Sequence, residues 1–137
     1  MSRCSRPTPR YPTLVRGFNL RWVGRPAYVA VCATADQVVQ AVDDKRRITV
    51  RGDGHCYEDF ASNNDGGVII DLSSMTAIWR DPTNGWYGVE GGATLWDVYR
   101  RLFTEYGVTL PAGSCYSVGI GGHVTGGATA CCLGSTA

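Results

Sequence analysis

The chain has 137 residues, enough for one sizeable core and too few for two. Its 13 basic and 12 acidic side chains leave a net charge of +1, which gives no electrostatic basis for a nucleic-acid or anionic-membrane partner. A hydrophobic content of 44% against 18% charged argues against disorder, and no apolar run approaches the roughly 20 residues of a membrane span.

Residues 1–25 are rich in Arg and Pro and lack apolar periodicity, so they read as an N-terminal arm with a short helical turn around Tyr11 to Phe18. Ordered pattern begins near Pro26. Tyr28 to Cys32 is a short, apolar, β-branched run and predicts a buried strand. Thr34 then caps a helix, with Gln37 as its reciprocal partner and Ala35, Val38, Val39 and Val42 on one face. Ile48 to Arg51 predicts a second strand, and the strand–helix–strand order predicts a βαβ crossover of near-minimal length. Gly52-Asp53-Gly54 ends that strand, and Val68 to Asp71 predicts a third. Ala77 to Trp79 and Trp86 to Glu90 flank Asp81-Pro82-Thr83-Asn84-Gly85, a hairpin connection. The clearest helix starts at Thr94, repeats Leu95, Val98, Tyr99, Leu102, Phe103 and Tyr106, and ends at Gly107. Alternating strands and helices predict an α/β or α+β class with a partly parallel sheet.

The six cysteines, Cys4, Cys32, Cys56, Cys115, Cys131 and Cys132, form no C-x-x-C pair and no zinc spacing. The basic N-terminus is followed by no apolar stretch, so no secretory signal is expected. Reduced thiols and a cytoplasmic location follow as expectations. A small metal module using His55, Cys56, Cys115, His123, Cys131 and Cys132 is the minor alternative.

Two segments carry candidate chemistry. Arg51-Gly52-Asp53-Gly54-His55-Cys56-Tyr57-Glu58 places a glycine-containing turn at a strand end, where backbone N–H groups can form an anion-binding nest with His55 at its exit. By itself the segment reads more readily as a plain Asp-Gly turn with a surface histidine, because short glycine motifs are weak signals. From Pro111 onward, Gly113, Gly119, Gly121, Gly122, Gly126 and Gly127 crowd around Cys115 and His123. Such backbone suits close approach to another group. By itself Cys115 is as readily a buried thiol as a nucleophile, and His123 as readily a loop-satisfying residue.

Taken together, I-T-V-R-G-D-G-H-C-Y-E-D-F and P-A-G-S-C-Y-S-V-G-I-G-G-H-V-T-G-G are much more specific. With V-E-G-G-A-T-L between them and R-Y-P-T-L-V-R-G-F-N near the start, the chain resembles FAD-linked oxidoreductases of the vanillyl-alcohol oxidase superfamily. The closer resemblance is to the berberine-bridge-enzyme-like branch, and it covers roughly residues 9–127. It implies an α+β fold: the N-terminal subdomain of a PCMH-type FAD-binding domain, with a small mixed sheet flanked by helices. It also implies FAD bound covalently twice. His55 matches the histidine joined to the flavin 8α-methyl carbon, and Cys115 the cysteine joined to flavin C6. Arg51, Gly52, Asp53 and Gly54 match the pyrophosphate loop. Cys56, Gly119, Gly121, Gly122, His123, Gly126 and Gly127 match positions along the cofactor. The implied reaction oxidises a C–H or C–OH group of a small-molecule substrate, with hydride passing to flavin N5 and dioxygen as acceptor.

Three departures accompany the resemblance. The family pattern at the turn is R-S-G-G-H, and Gly52 and Asp53 stand here for its serine and first glycine. Asp53 sets a carboxylate beside a diphosphate, so weaker FAD binding is expected. The helix after Thr34 is a few residues short. After Gly127 the family continues G-Y-G-L-L-S-R, whereas residues 128–137 read A-T-A-C-C-L-G-S-T-A. Back-translated and read from the last base of the Gly127 codon, that tail is compatible with G-Y-G-L-L-S-R-L-H-G. A shifted reading frame is therefore expected, and the DNA around codon 127 tests it. The single lysine, Lys45, among 13 basic residues fits a GC-rich gene, as do the wobble bases this shift requires. The expected organisation is an arm at 1–25, a partial FAD-binding domain at 26–127 and an aberrant tail at 128–137. No catalytic residue is expected in it, because the family's substrate domain and tyrosine base lie farther along. A truncated, inactive fragment is the alternative reading.

Overall fold

The computed structural model describes residues 1–58 and 60–127. The expected tail frame concerns residues 128–137 and lies outside them.

A four-stranded sheet organises the N-terminal half. Its strands are β1 (Ser2–Ser5), β2 (Tyr28–Val31), β3 (Ile48–Arg51) and β4 (Val68–Asp71), in the spatial order β1-β2-β4-β3. β4 runs parallel to both β2 and β3, with Val68 level with Tyr28 and Ile48, while β1 pairs antiparallel to β2. The crossover expected from the sequence is therefore present but skips a place. Helix α2 (Ala35–Val42) carries the chain past a gap that β4 fills. β4 takes the centre because Val68, Ile69, Ile70 and Asp71 are all buried, as a strand covered on both faces must be.

Side chains alternate between two cores. Ala30, Ala41, Val68 and Ile70 pack on one face of the sheet, and Cys4, Tyr11, Val15, Val29 and Ile69 on the other. The second core corrects the reading of residues 1–25 as an arm. β1 closes the sheet edge, and helix α1 (Tyr11–Leu14) covers the sheet's underside, with the Tyr11 hydroxyl donating to Pro26 O. Compositional reasoning could not see this, because a four-residue strand beside Arg and Pro carries no period.

In α2 the Thr34 hydroxyl accepts from Gln37 N at 3.3 Å, as expected, but the Gln37 side chain turns to Ala33 N at 2.9 Å. Its apolar face is also narrower than expected. Ala41 is buried, whereas Val39 and Val42 are more than half exposed. The helix is only two turns long and rests one stripe on the sheet.

The C-terminal half builds a third core. β5 (Ile78–Arg80) and β6 (Tyr87–Val89) form the expected hairpin, with Asp81 N donating to Trp86 O at 2.8 Å. Helix α3 (Leu95–Tyr106) begins in a full capping box: Asp97 N donates to Thr94 Oγ1, and Thr94 N to the Asp97 carboxylate. It ends at Gly107, whose φ of 67° is left-handed. Leu95, Val98 and Leu102 bury against Ile78, Ala93, Ala112 and Ile120, while Phe103 stays exposed. Helix α4 (Ile120–Gly126) is the main surprise, since its glycines signal loop. Tertiary contacts override the propensity: Ile120 N donates to Ala93 O at 2.8 Å, and buried Ile120 anchors the first turn.

Among the described residues no helix is long and apolar enough to cross a membrane.

Candidate functional site

The site lies beyond the carboxyl ends of the parallel strands, where ligands of open α/β sheets gather. β3 delivers Arg51 to its last position, level with Asp71 of β4. The Arg51 guanidinium is buried and fully engaged. It donates to Asp71 Oδ2 from Nε (3.1 Å) and Nη2 (2.5 Å), and to the carbonyls of Leu14 (2.7 Å) and Arg16 (3.3 Å). Its side chain thus ties the sheet to α1, and what it offers the turn is backbone.

The turn itself is packed tightly. A Cβ at Gly52 would stand 2.9 Å from Gly91 O. Gly54 has a φ of +89°, a region that side chains disfavour, and its carbonyl accepts from Phe18 N at 2.8 Å. That bond lays Phe18 on the His55 ring, with centroids 4.5 Å apart and planes 19° apart. His55 is therefore held on one face by a residue of the N-terminal segment.

Both ring nitrogens of His55 meet polar groups. The Asp53 carboxylate lies against Nδ1. Nδ1 is buried and makes no aligned hydrogen bond to it. At the other end, His55 Nε2 lies 3.0 Å from Ser117 Oγ, and Ser117 Oγ lies 3.6 Å from Cys115 Sγ. The fold thus brings His55 and Cys115 to either side of one hydroxyl. Ser117 was not among the sequence candidates. Its signal was present in the run Cys115-Tyr116-Ser117, but only folding shows which hydroxyl bridges. Cys115 is exposed, and Cys56 is half-buried with no hydrogen-bond partner among the described residues.

His123 has a narrower role. Its Nε2 accepts from Gly113 N at 3.1 Å, so the ring is neutral at that atom and pins the start of the 113–118 loop to α4. Gly119 and Gly121 are close-approach positions: a Cβ would stand 2.6 Å from Asp53 Oδ1 at the first and 2.7 Å from Gly91 O at the second. Gly122, Gly126 and Gly127 instead face open space.

These elements enclose a cleft of about 630 Å³ between the turn after β3 and α4. Val50, Phe60 and Val118 give it apolar surface; His55, Cys56 and His123 give it polar atoms. The volume is of the size that holds a cofactor or drug-sized ligand. The residues fit a flavin at the ring end: His55 and Cys56 line the cleft, and Gly122 and Gly126 of α4 leave its wall bare. Asp53 is the dissonant element, an anion at the turn. Among the described residues, no three His, Cys, Asp or Glu side chains gather to hold a metal ion.

This fold and cleft are those of a flavin-binding domain of the α+β, PCMH type. Residues 26–135 match the FAD binding domain family, and the chain belongs to that family. It is 49% identical over 123 residues to an aclacinomycin-N/aclacinomycin-A oxidase of Streptomyces galilaeus, covering 86% of this chain and 23% of that protein. It is 37% identical over 130 residues to a hexose oxidase of Chondrus crispus, covering 89% of this chain and 23% of that protein. The crystal structure of a glycopeptide hexose oxidase complexed with teicoplanin superposes with a TM-score of 0.88 at 41% identity, over 93% of this chain and 27% of that one. Berberine bridge enzyme-like proteins of plants are also similar. The chain spans about a quarter of the length of these relatives.

Proposed function

We propose that this chain is the part of an FAD-dependent oxidase that attaches and orients the flavin, through His55 and Cys115. The observation that carries this reading is the contact series His55 Nε2, Ser117 Oγ, Cys115 Sγ at 3.0 and 3.6 Å beside the cleft. Two side chains far apart in sequence converge there, as attachment to one ring system requires. When bound, the flavin supplies hydride acceptance from a C–H bond and electron transfer to dioxygen.

The chain's own residues do the positioning. Phe18 and Ser117 fix the His55 ring on its face and at Nε2. Val50, Phe60 and Val118 line the cleft with apolar surface. The turn from Gly52 to Gly54 would meet the diphosphate end through its backbone N–H groups. Oxidation of a small alcohol or phenol is proposed for a protein of the relatives' full length, of which this chain spans about a quarter.

A second reading, a chain that binds no flavin, is favoured by Asp53, an anionic side chain in the turn that the diphosphate would approach. One experiment separates the two. The full chain is purified with excess FAD, resolved by denaturing electrophoresis with flavin fluorescence read in acid, and weighed intact. The first reading expects fluorescence on the polypeptide and a mass increased by one flavin, both abolished in the His55→Ala/Cys115→Ala double variant. A colourless protein of bare polypeptide mass establishes the second.

A further inference from the structure

We propose that Asp53, His55 and Ser117 form a proton relay that makes Cys115 a nucleophile toward carbon electrophiles, independently of any bound flavin. The arrangement is that of a carboxylate, an imidazole and a hydroxyl in series, with a thiol added at the end. Asp53 lies at His55 Nδ1, Ser117 Oγ at Nε2, and Cys115 Sγ on the far side of Ser117 Oγ. A carboxylate can only accept, so it favours the ring proton on Nδ1 and leaves the Nε2 lone pair facing the Ser117 hydroxyl. The proton balance is closed. The Cys115 S–H proton passes to Ser117 Oγ as the Ser117 O–H proton passes to His55 Nε2. The products are a thiolate and an imidazolium, whose charge Asp53 faces; nothing is oxidised or reduced.

The geometry is held from outside the relay. Phe18 stacks on the imidazole, and the Asp53 carboxylate is wedged between His55 and Gly119, where any side chain at 119 would strike it. Such support from neighbouring groups is what keeps a reactive constellation in register. Asp53 gains a different meaning in this light. The residue that costs the turn its affinity for diphosphate is the residue that orients His55. Asp53 and Ser117 are positioning residues, and Cys115 is the reacting atom's owner.

Cys56 is the internal reference, being half-buried in the same cleft and without a hydrogen-bond partner among the described residues. Buried Cys4 and Cys32 report whether the chain is folded. The flavin-free full chain is treated with iodoacetamide at neutral pH, and each cysteine's rate is followed by peptide mass mapping. In the reaction the S–C bond forms and iodide leaves. Cys115 is expected to react at least about ten-fold faster than Cys56, below the about 10²–10⁴ that a placed base supplies. Urea-unfolded chain, in which the two rates converge, is the baseline. Ser117→Ala and His55→Gln are expected to abolish the preference, Asp53→Asn to reduce it, and Ser117→Thr, which keeps the hydroxyl, to retain it. A folded wild-type ratio no higher than the urea baseline overturns the relay, as does an undiminished ratio in folded Ser117→Ala. If a variant exposes Cys4 and Cys32, the folded Asp53→Asn and Ser117→Thr variants decide, and a ratio equal in both overturns the relay. Because no flavin enters the assay, this result stands apart from the success or failure of flavin attachment.

Discussion

Replacing Asp71 by alanine tests how the sheet supports the site. The Asp71 carboxylate accepts two bonds from Arg51 and two from Ser73, whose backbone N lies at 3.0 Å and hydroxyl at 2.5 Å. Both charged side chains are almost wholly removed from water, at 6% and 4% exposure. Truncating Asp71 leaves the Arg51 guanidinium buried with only the neutral carbonyls of Leu14 and Arg16. Breaking a buried pair from one side costs about 3–5 kcal/mol. That is a large share of the roughly 5–15 kcal/mol by which domains are stable. With a urea slope of about 2 kcal/mol per M, the midpoint falls by about 1.5–2.5 M. Urea unfolding followed by circular dichroism measures it. Ser73→Ala is the control, because it removes one hydroxyl donor worth about 1 kcal/mol. A midpoint shift for Asp71→Ala no larger than that of Ser73→Ala refutes the reasoning, since the guanidinium would then have found water or another partner.

The other expectations are briefer. Gly121→Ala drives a Cβ to within 2.7 Å of Gly91 O, backbone against backbone, so it destabilises by about 1–3 kcal/mol in the same urea assay. Thr94→Ala removes one half of the α3 capping box and costs about 1 kcal/mol, read as a lower thermal midpoint. Leu95→Ala, at a fully buried position of the C-terminal core, costs about 2–5 kcal/mol. The Tyr28 hydroxyl, donating at 2.8 Å, holds the Asp44 carboxyl below the usual carboxylate range. A lowered folded-state value means stability that is present above the ordinary carboxylate range and lost as pH falls through the lowered one. Tyr28→Phe is therefore expected to flatten the acid limb of the stability profile, read from urea midpoints across acid pH.

Much of the fold was legible in the residue order because the signals were local. Thr94 and Gly107 bracket α3 through bonds within a turn of helix, and the hairpin around Asn84-Gly85 is likewise closed by near neighbours. The motif pair around His55 and Cys115 led to the family that the comparisons show. Placement required the folded chain. That β4 sits between β2 and β3, that Ser2–Ser5 is a sheet edge, and that the glycines from 120 to 126 form a helix all depend on partners distant in sequence.

The candidate site divides in the same way. Composition and order determined which reactive groups exist: one imidazole after a glycine turn, one thiol in a glycine-rich segment, and an aspartate where the family has glycine. Only tertiary structure decided their relations. Arg51 turned out to spend its guanidinium on Asp71 and α1, and His123 to pin Gly113. Ser117 became the bridge between His55 and Cys115, with Asp53 on the opposite nitrogen. The physical reason is range. Caps, turns and periodicity are set by bonds spanning a few residues, whereas a relay is set by where two loops land, and that depends on every strand and helix packed beneath them.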